Sequence, residues 1–211
     1  MPDSPVHVID DDPAVRDALQ FLFESAGVPV RSYDSATGFI DQVGARGTGC
    51  VLTDVRMPGF DGIALMRRLA ELGLDLPVIV MTGHADVPLA VQALKEGAVD
   101  FIEKPFDDDR LLAAVQAALE SGRRRRQEAA ELDAIATRLA SLTPREREVL
   151  DGLVAGHPNK TIAYDLGTSP RTIEVHRARV MEKMHARSLA DLVRMVLASE
   201  RAGQGKNSRA T

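Results

Sequence analysis

Through residue 121, short apolar runs alternate with segments whose apolar positions recur every three or four residues; after that the alternation stops. The runs Val6–Asp10, Val28–Tyr33, Cys50–Asp54, Val78–Thr82 and Val99–Glu103 have the length and content of strands. Between and after them, Pro13–Ala26, Ser35–Val43, Gly62–Leu72, Val87–Glu96 and Asp108–Leu119 have the spacing of amphipathic helices. Each is followed closely by a glycine suited to a left-handed helix stop: Gly27, Gly44, Gly73, Gly97 and Gly122. Strands this apolar need both faces covered. The pattern therefore predicts an α/β architecture, a doubly wound five-stranded parallel sheet in the order 2-1-3-4-5, which binds ligands beyond the carboxyl ends of its strands.

The remainder has no strand pattern. In RRRRQEAAELDAIATRLASL, Leu132, Ile135 or Ala136, Leu139 and Leu142 repeat at steps of three and four, which predicts a linker helix with a short apolar seam. Its four arginines read as a solvated helix start more readily than as a dedicated DNA contact. Beyond it come helix punctuation marks. TPRE at Thr143–Glu146 has the form of a capping box, Ser169 precedes Pro170 as an N-cap precedes N1, Asn159 can cap a helix ending at Gly167, and Ser188 one running to about Ala198. Four short helices result, the middle pair joined by a turn around Gly167, which is the grammar of a helix-turn-helix.

Charge sharpens the division. Residues 1–121 carry 20 acidic and 9 basic side chains, net −11, whereas residues 122–211 carry 11 and 17, net +6. The basic half alone is suited to nucleic acid. Cys50 lies in an apolar run and reads as a small buried hydrophobe. No stretch is long enough to span a membrane, and MPDSPVH lacks the basic and apolar regions of a secretory signal, so a cytoplasmic protein without a membrane partner is expected.

On the predicted sheet the polar residues gather at strand ends: Asp10, Asp11 and Asp12 after the first strand, Asp54 after the third, Thr82 after the fourth and Lys104 after the fifth. Strands one and three are neighbours at the switch point, so carboxylates and a lysine converge there. Crowded carboxylates call for a cation, and hard oxygen donors suit Mg²⁺. Asp12, beside Pro13, reads instead as an exposed helix cap. Lys104-Pro105 is a candidate cis bond that would aim the lysine inward.

These residues in this order resemble a two-component receiver domain: Asp-Asp after strand one, TDVRMPGFDG around Asp54, MTGHADVP around Thr82 and FIEKPF around Lys104. The stretch LTPREREVLDGLVAGHPNKTIAYDLGTSPRTIEVHRARVMEKM resembles a LuxR-type helix-turn-helix, and the pair together is similar to the FixJ subfamily. The resemblance implies a flavodoxin-like receiver over 1–122, a helical linker over 123–140, an all-α four-helix DNA-binding domain over 141–203 and a flexible tail over 204–211. It implies that Asp54 accepts a phosphoryl group from a sensor histidine kinase. Mg²⁺ or Mn²⁺ would be held by Asp11, Asp54 and the Arg56 backbone carbonyl, with Asp10 acting through water. Lys104 and Thr82 would bond the phosphoryl oxygens. Phe101 would be the aromatic that turns inward with Thr82, and Val87, Val91, Leu94 and Lys95 the dimer face. Arg56 and His84, two residues beyond Asp54 and Thr82, would flank the path of the hydrolytic water.

In the helix after Pro170, Ile173, Val180 and Met184 make an apolar stripe that also contains His176, so His176 reads as structural, with a ring nitrogen bonded to backbone. The opposite face presents Arg171, Glu174, Val175, Ala178, Arg179 and Glu182. The resemblance puts Glu174, Val175 and Ala178 toward the major groove and Lys160, Arg177, Arg179 and Lys183 at phosphates, with Arg171 and Thr172 completing the DNA-binding set. The expected protein is a bacterial transcriptional activator whose single helix-turn-helix reads too few base pairs to find a promoter except in pairs: it dimerises on phosphorylation and engages RNA polymerase. It is no enzyme beyond assisting its own phosphorylation and dephosphorylation. Oxygen-linked nitrogen-fixation or microaerobic genes are the targets the subfamily suggests. Two other classes compete. A haloacid-dehalogenase-type phosphatase would use Asp10 of Asp10-Asp11-Asp12 as nucleophile, but position 14 is alanine where that pattern wants threonine or valine. A phosphate-free adaptor would share the fold without the chemistry.

Overall fold

The computed structural model describes residues 4–44, 47–83 and 87–207. The chain forms two compact units, Met1–Arg126 and Gln127–Thr211. In the first, β1 (Val6–Ile9), β2 (Val30–Tyr33), β3 (Cys50–Asp54), β4 (Val78–Thr82) and β5 (Asp100–Glu103) form one parallel sheet in the order β2-β1-β3-β4-β5. Alternation of side chains gives each face its own core. Val8, Leu52 and Met81 join Leu19 and Phe23 of α1 (Pro13–Ser25) and Leu111 and Val115 of α5 (Asp108–Ala140). Ile9, Val51 and Val80 join Phe39 of α2 (Ala36–Val43), Leu65 of α3 (Gly62–Glu71) and Ala93 of α4 (Val87–Lys95). Cys50 is fully buried, and burial pushes its thiol up to about 12, as suits an inert core residue.

Two expected boundaries inside this unit move. Val28 donates its N–H to the Phe23 carbonyl at 2.8 Å, closing the end of α1, so β2 starts only at Val30. Gly122 does not stop α5, which runs on through all four arginines to Ala140; the expected separate linker helix is the second half of one helix. A Cβ at Gly122 would lie 3.1 Å from two Pro77 ring atoms, so the glycine answers a packing need. A single glycine costs a helix about 1 kcal/mol, which flanking helix formers offset.

The second unit packs Ile135 of α5 with α6 (Pro144–Val154), α7 (Asn159–Asp165), α8 (Pro170–Lys183) and α9 (Leu189–Asn207) around Leu150, Ile162, Ile173, Val180 and Leu192. The Thr143–Glu146 capping box and the Ser169 cap with Pro170 at N1 are formed, and Ser188 accepts from the Asp191 N–H at 3.1 Å. Asn159 is not a cap: it is the first residue of α7, and the N-cap is Pro158, which has no side-chain acceptor. The last helix continues past Ala198 to Asn207, into the segment expected to be a tail. Gly167 makes the α7–α8 turn with φ +61°, a conformation that a side chain would strain.

Candidate functional site

The parallel sheet leaves β1 and β3 adjacent, and their carboxyl ends carry the acidic residues. Asp10 is buried at 1% exposure, and both of its carboxylate oxygens are engaged: Oδ1 accepts from the Asp12 N–H at 2.9 Å and Oδ2 from Lys104 Nζ at 2.8 Å. Asp54 stays partly open, with its side chain at 17% exposure; Oδ1 accepts from the Arg56 N–H at 3.2 Å and Oδ2 from the same Lys104 ammonium at 2.8 Å. Asp11 is exposed beside them. Burial works against the Lys104 charge, but the carboxylates of Asp10 and Asp54 outweigh it and hold the ammonium above the usual lysine range. The lysine is aimed from the loop after β5, where Lys104-Pro105 is cis.

Carboxylate oxygens of Asp10, Asp11 and Asp54 lie within 4.8 Å of one another. This is a hard-oxygen donor set that fits a divalent cation such as Mg²⁺. A cleft of about 510 Å³ opens beside it, lined by Asp11, Arg56, Met57, Asp61 and Leu89 among others. Thr82 is buried at the end of β4, and its hydroxyl donates to the Gly83 carbonyl at 3.2 Å. Phe101 on β5 is half-buried. His84 lies outside the described residues, as does the side chain of Val87. On α4, Val91 and Leu94 are exposed at 45% and 41%, and Val99 just before β5 at 42%. Lys95 is exposed as well.

Arg16 is a site residue that sequence reasoning passed over. Its Nη1 donates to the Asp10 backbone carbonyl at 2.7 Å and clamps the turn that presents the aspartates. A cation on the first turn of the helix following an acidic strand end was the available clue. The geometry also bears on the phosphatase reading. A nucleophile at Asp10 would need an accessible oxygen, and Asp10 is buried, whereas the Asp54 carboxylate beside it stays partly open.

In the second unit α8 buries Ile173, Val180 and Met184 as expected and exposes Arg171, Glu174, Val175, Ala178 and Arg179. Arg177 is half-buried, and Lys160 on α7 is exposed. One expected bond is not formed, and two residues expected at DNA have partners within the fold. His176 Nδ1 is buried without a hydrogen-bond partner, where a backbone bond was expected. Thr172 shares a 2.9 Å hydroxyl bond with Ser169 at the helix start. Lys183, expected at a phosphate, is bonded within the fold, to the Glu146 carboxylate at 2.6 Å and the Ser141 carbonyl at 3.2 Å. The Lys183 ammonium and the Thr143 N–H hold the buried Glu146 carboxyl down at about 2. No described helix is long and apolar enough to cross a membrane.

Residues 6–116 match the family model of the response regulator receiver domain, and residues 140–196 that of the bacterial regulatory proteins of the luxR family. The chain is 57% identical to the transcriptional regulatory protein FixJ of Azorhizobium caulinodans over 93% of this chain and 94% of that one. Among solved structures, full-length FixJ from B. japonicum is 50% identical with TM-score 0.60, covering 95% of this chain and 99% of the other. The response regulator StyR is 40% identical with TM-score 0.83, covering 92% and 98%. With receiver-type and LuxR-type halves both matched and FixJ proteins alike over nearly their full length, the chain belongs to the FixJ-like two-component response regulators, a family of transcription factors.

Proposed function

We propose that Asp54 is the phosphoacceptor and that its phosphorylation by a sensor histidine kinase controls promoter binding by the LuxR-type half. The observation that carries this reading is the Lys104 ammonium held at 2.8 Å from both Asp54 and Asp10 beside the one accessible carboxylate of that pair. A carboxylate oxygen of Asp54 attacks the phosphorus of a phosphohistidine in line, the P–N bond breaks, and the electron pair leaves with the imidazole nitrogen. Transfer of this kind depends on positioning and charge neutralisation more than on covalent help from the protein. Lys104 is a movable point charge that exchanges a carboxylate partner for a phosphoryl oxygen. Thr82 exchanges its Gly83 partner for another. Asp11, Asp54 and the Arg56 carbonyl would hold Mg²⁺ or Mn²⁺, with Asp10 acting through water; the cation supplies further charge neutralisation at this edge. Arg56 and His84 set the lifetime of the acyl phosphate against hydrolysis.

On the DNA side, Glu174, Val175 and Ala178 face base edges, while Lys160, Arg171, Thr172, Arg177 and Arg179 meet the backbone. Lys183 is left out of that set because of its bonds to Glu146 and Ser141. The active species is a homodimer formed on α4 and β5, working with RNA polymerase in the bacterial cytoplasm. Likeness to FixJ proteins supports targets among nitrogen-fixation or microaerobic genes. Asp54→Asn tests the core of the proposal, since the amide keeps the shape without the nucleophilic charge. Intact-mass spectrometry after acetyl phosphate treatment should show one added phosphoryl group on the wild type and none on the variant. Incorporation at the wild-type level in Asp54→Asn would overturn the assignment.

A further inference from the structure

α7 has two contrasting sides. Ile162 and Ala163 are buried at 2% each, while Tyr164 between them and the Gly167 turn is 87% exposed, the most exposed of the large apolar side chains among the described residues. Its hydroxyl bonds to nothing among the described residues. An aromatic ring with a polar tip, held out in solvent on a helix, is built for a partner that is apolar along one edge and hydrogen-bonding at the other.

The position of Tyr164 indicates which partner. Lys160 and Tyr164 stand four residues apart, one turn along the outer face of α7. Lys160 also lines a groove of about 640 Å³ together with Asn159, Glu174 and Arg177, so the Lys160 end of this face borders the side on which α8 displays its polar residues. In a helix-turn-helix the first helix crosses the nucleic-acid backbone while the second enters the groove. We infer that Tyr164 is a DNA-backbone contact, its ring lying along the sugar edge and its phenol O–H donating to a phosphate oxygen one turn beyond the phosphate met by Lys160. This rests on the DNA-binding reading of α8 and extends it to a residue that is neutral.

Neutrality gives the contact its own signature. A cationic side chain at a phosphate releases counterions and steepens the salt dependence of binding, whereas a phenol strengthens binding without releasing any. Neither contact carries sequence information. The test uses the full-length chain activated with beryllofluoride and two duplexes of roughly 30 base pairs. One is selected from a random pool by the protein itself, the other is a scramble of it, and anisotropy titrations are repeated across a salt series. Tyr164→Phe should bind both duplexes about 3- to 10-fold more weakly, the effect of one neutral hydrogen bond, with the wild-type salt slope. Arg179→Ala, run in parallel, should weaken both and reduce the slope by about one.

Wild-type affinity in both Tyr164→Phe and Tyr164→Ala would overturn the inference, even if transcription fell, since the residue would then serve a protein partner. A loss confined to the selected duplex would overturn it too, making Tyr164 a reader of bases. A wild type that enriches no duplex from the pool would instead bring down the DNA-binding reading on which the contact rests. Thermal unfolding should be unchanged in both variants, because the side chain is not part of the core.

Discussion

His7 lies in the middle of β1, 3% exposed, with its ring tilted against Tyr33 and Phe39 at centroid distances of 5.8 and 5.1 Å. Nε2 is 2.9 Å from the Thr48 carbonyl and donates to it, and Nδ1 lies 3.1 Å from the Tyr33 hydroxyl, which donates to it when the ring is neutral. Burial favours that neutral form. Burial lowers its pKa below the ordinary 6.5, opposed by the Thr48 bond and aided by the nearby Arg31 charge. The unfolded chain thus takes up a proton at a pH where the folded chain does not. Stability is intact above about 6.5 and falls as the pH drops from there toward the lower folded value. Urea unfolding followed by circular dichroism from pH 8 to pH 5 should show this slope in the wild type and a flatter profile in His7→Leu. That variant should also lose about 1–3 kcal/mol at pH 8 by leaving the Tyr33 hydroxyl and Thr48 carbonyl without a partner. An equal slope in both proteins would assign the pH dependence to other groups. The sequence placed His7 within a strand, but its Thr48 acceptor is 41 positions away, and no local pattern connects the two. Asp10, Asp54, Thr82 and Lys104 were readable for the opposite reason: each follows directly on an apolar run, so strand order alone brings them to one edge.

Element ends fixed by local capping were mostly legible, Asn159 excepted, and those that depend on distant packing were not. The caps at Thr143, Ser169 and Ser188 are formed because the donor and acceptor are three residues apart. The need for a glycine at position 122 comes from Pro77, far away in sequence, so a glycine that packs within α5 read as a helix stop. Glu146 belongs to both classes. Its capping role with Thr143 is local, but its ion pair with Lys183 at 2.6 Å joins α6 to the end of α8 across 37 residues. Because its folded carboxyl titrates at about 2 against 4.5 ordinarily, this element contributes stability that is present above about 4.5 and lost as the pH falls toward 2. Glu146→Gln keeps an acceptor for the Thr143 N–H and removes the charge that faces Lys183. It should lower the melting temperature of the helical unit by roughly 2–5 °C at pH 7, with the gap to wild type closing as the pH falls below about 4.5. A gap that persists unchanged at pH 3 would place the effect in the shape of the amide and not in the charge.

At the scale of the whole molecule, residues 1–121 carry net −11 and residues 122–211 net +6, and the proposed control links them through a single phosphoryl group. A lone helix-turn-helix reads too few base pairs to specify a genomic site, so the regulated quantity is best sought in pairing. The proposed face offers Val91, Leu94 and Val99, an exposed apolar set at the Thr82–Phe101 side of the sheet, bordered by Lys95. Phosphorylation need bias such a face by only a few kcal/mol. Once two chains are joined, the second DNA-binding domain acts at about millimolar effective concentration and avidity rises roughly 10²- to 10⁴-fold without any new DNA contact. Val91→Asp puts a charge at the centre of the apolar set while leaving the core beneath it, Ala90 and Ala93, untouched. In sedimentation-velocity runs the wild type should pass from monomer to dimer on addition of beryllofluoride and Mg²⁺, and Val91→Asp should remain monomeric while still taking up phosphate at Asp54. Its affinity for a paired site should then fall toward that of a single half-site. If Val91→Asp dimerises and binds the paired site as the wild type does, control does not run through α4, and the apolar set there serves some other contact.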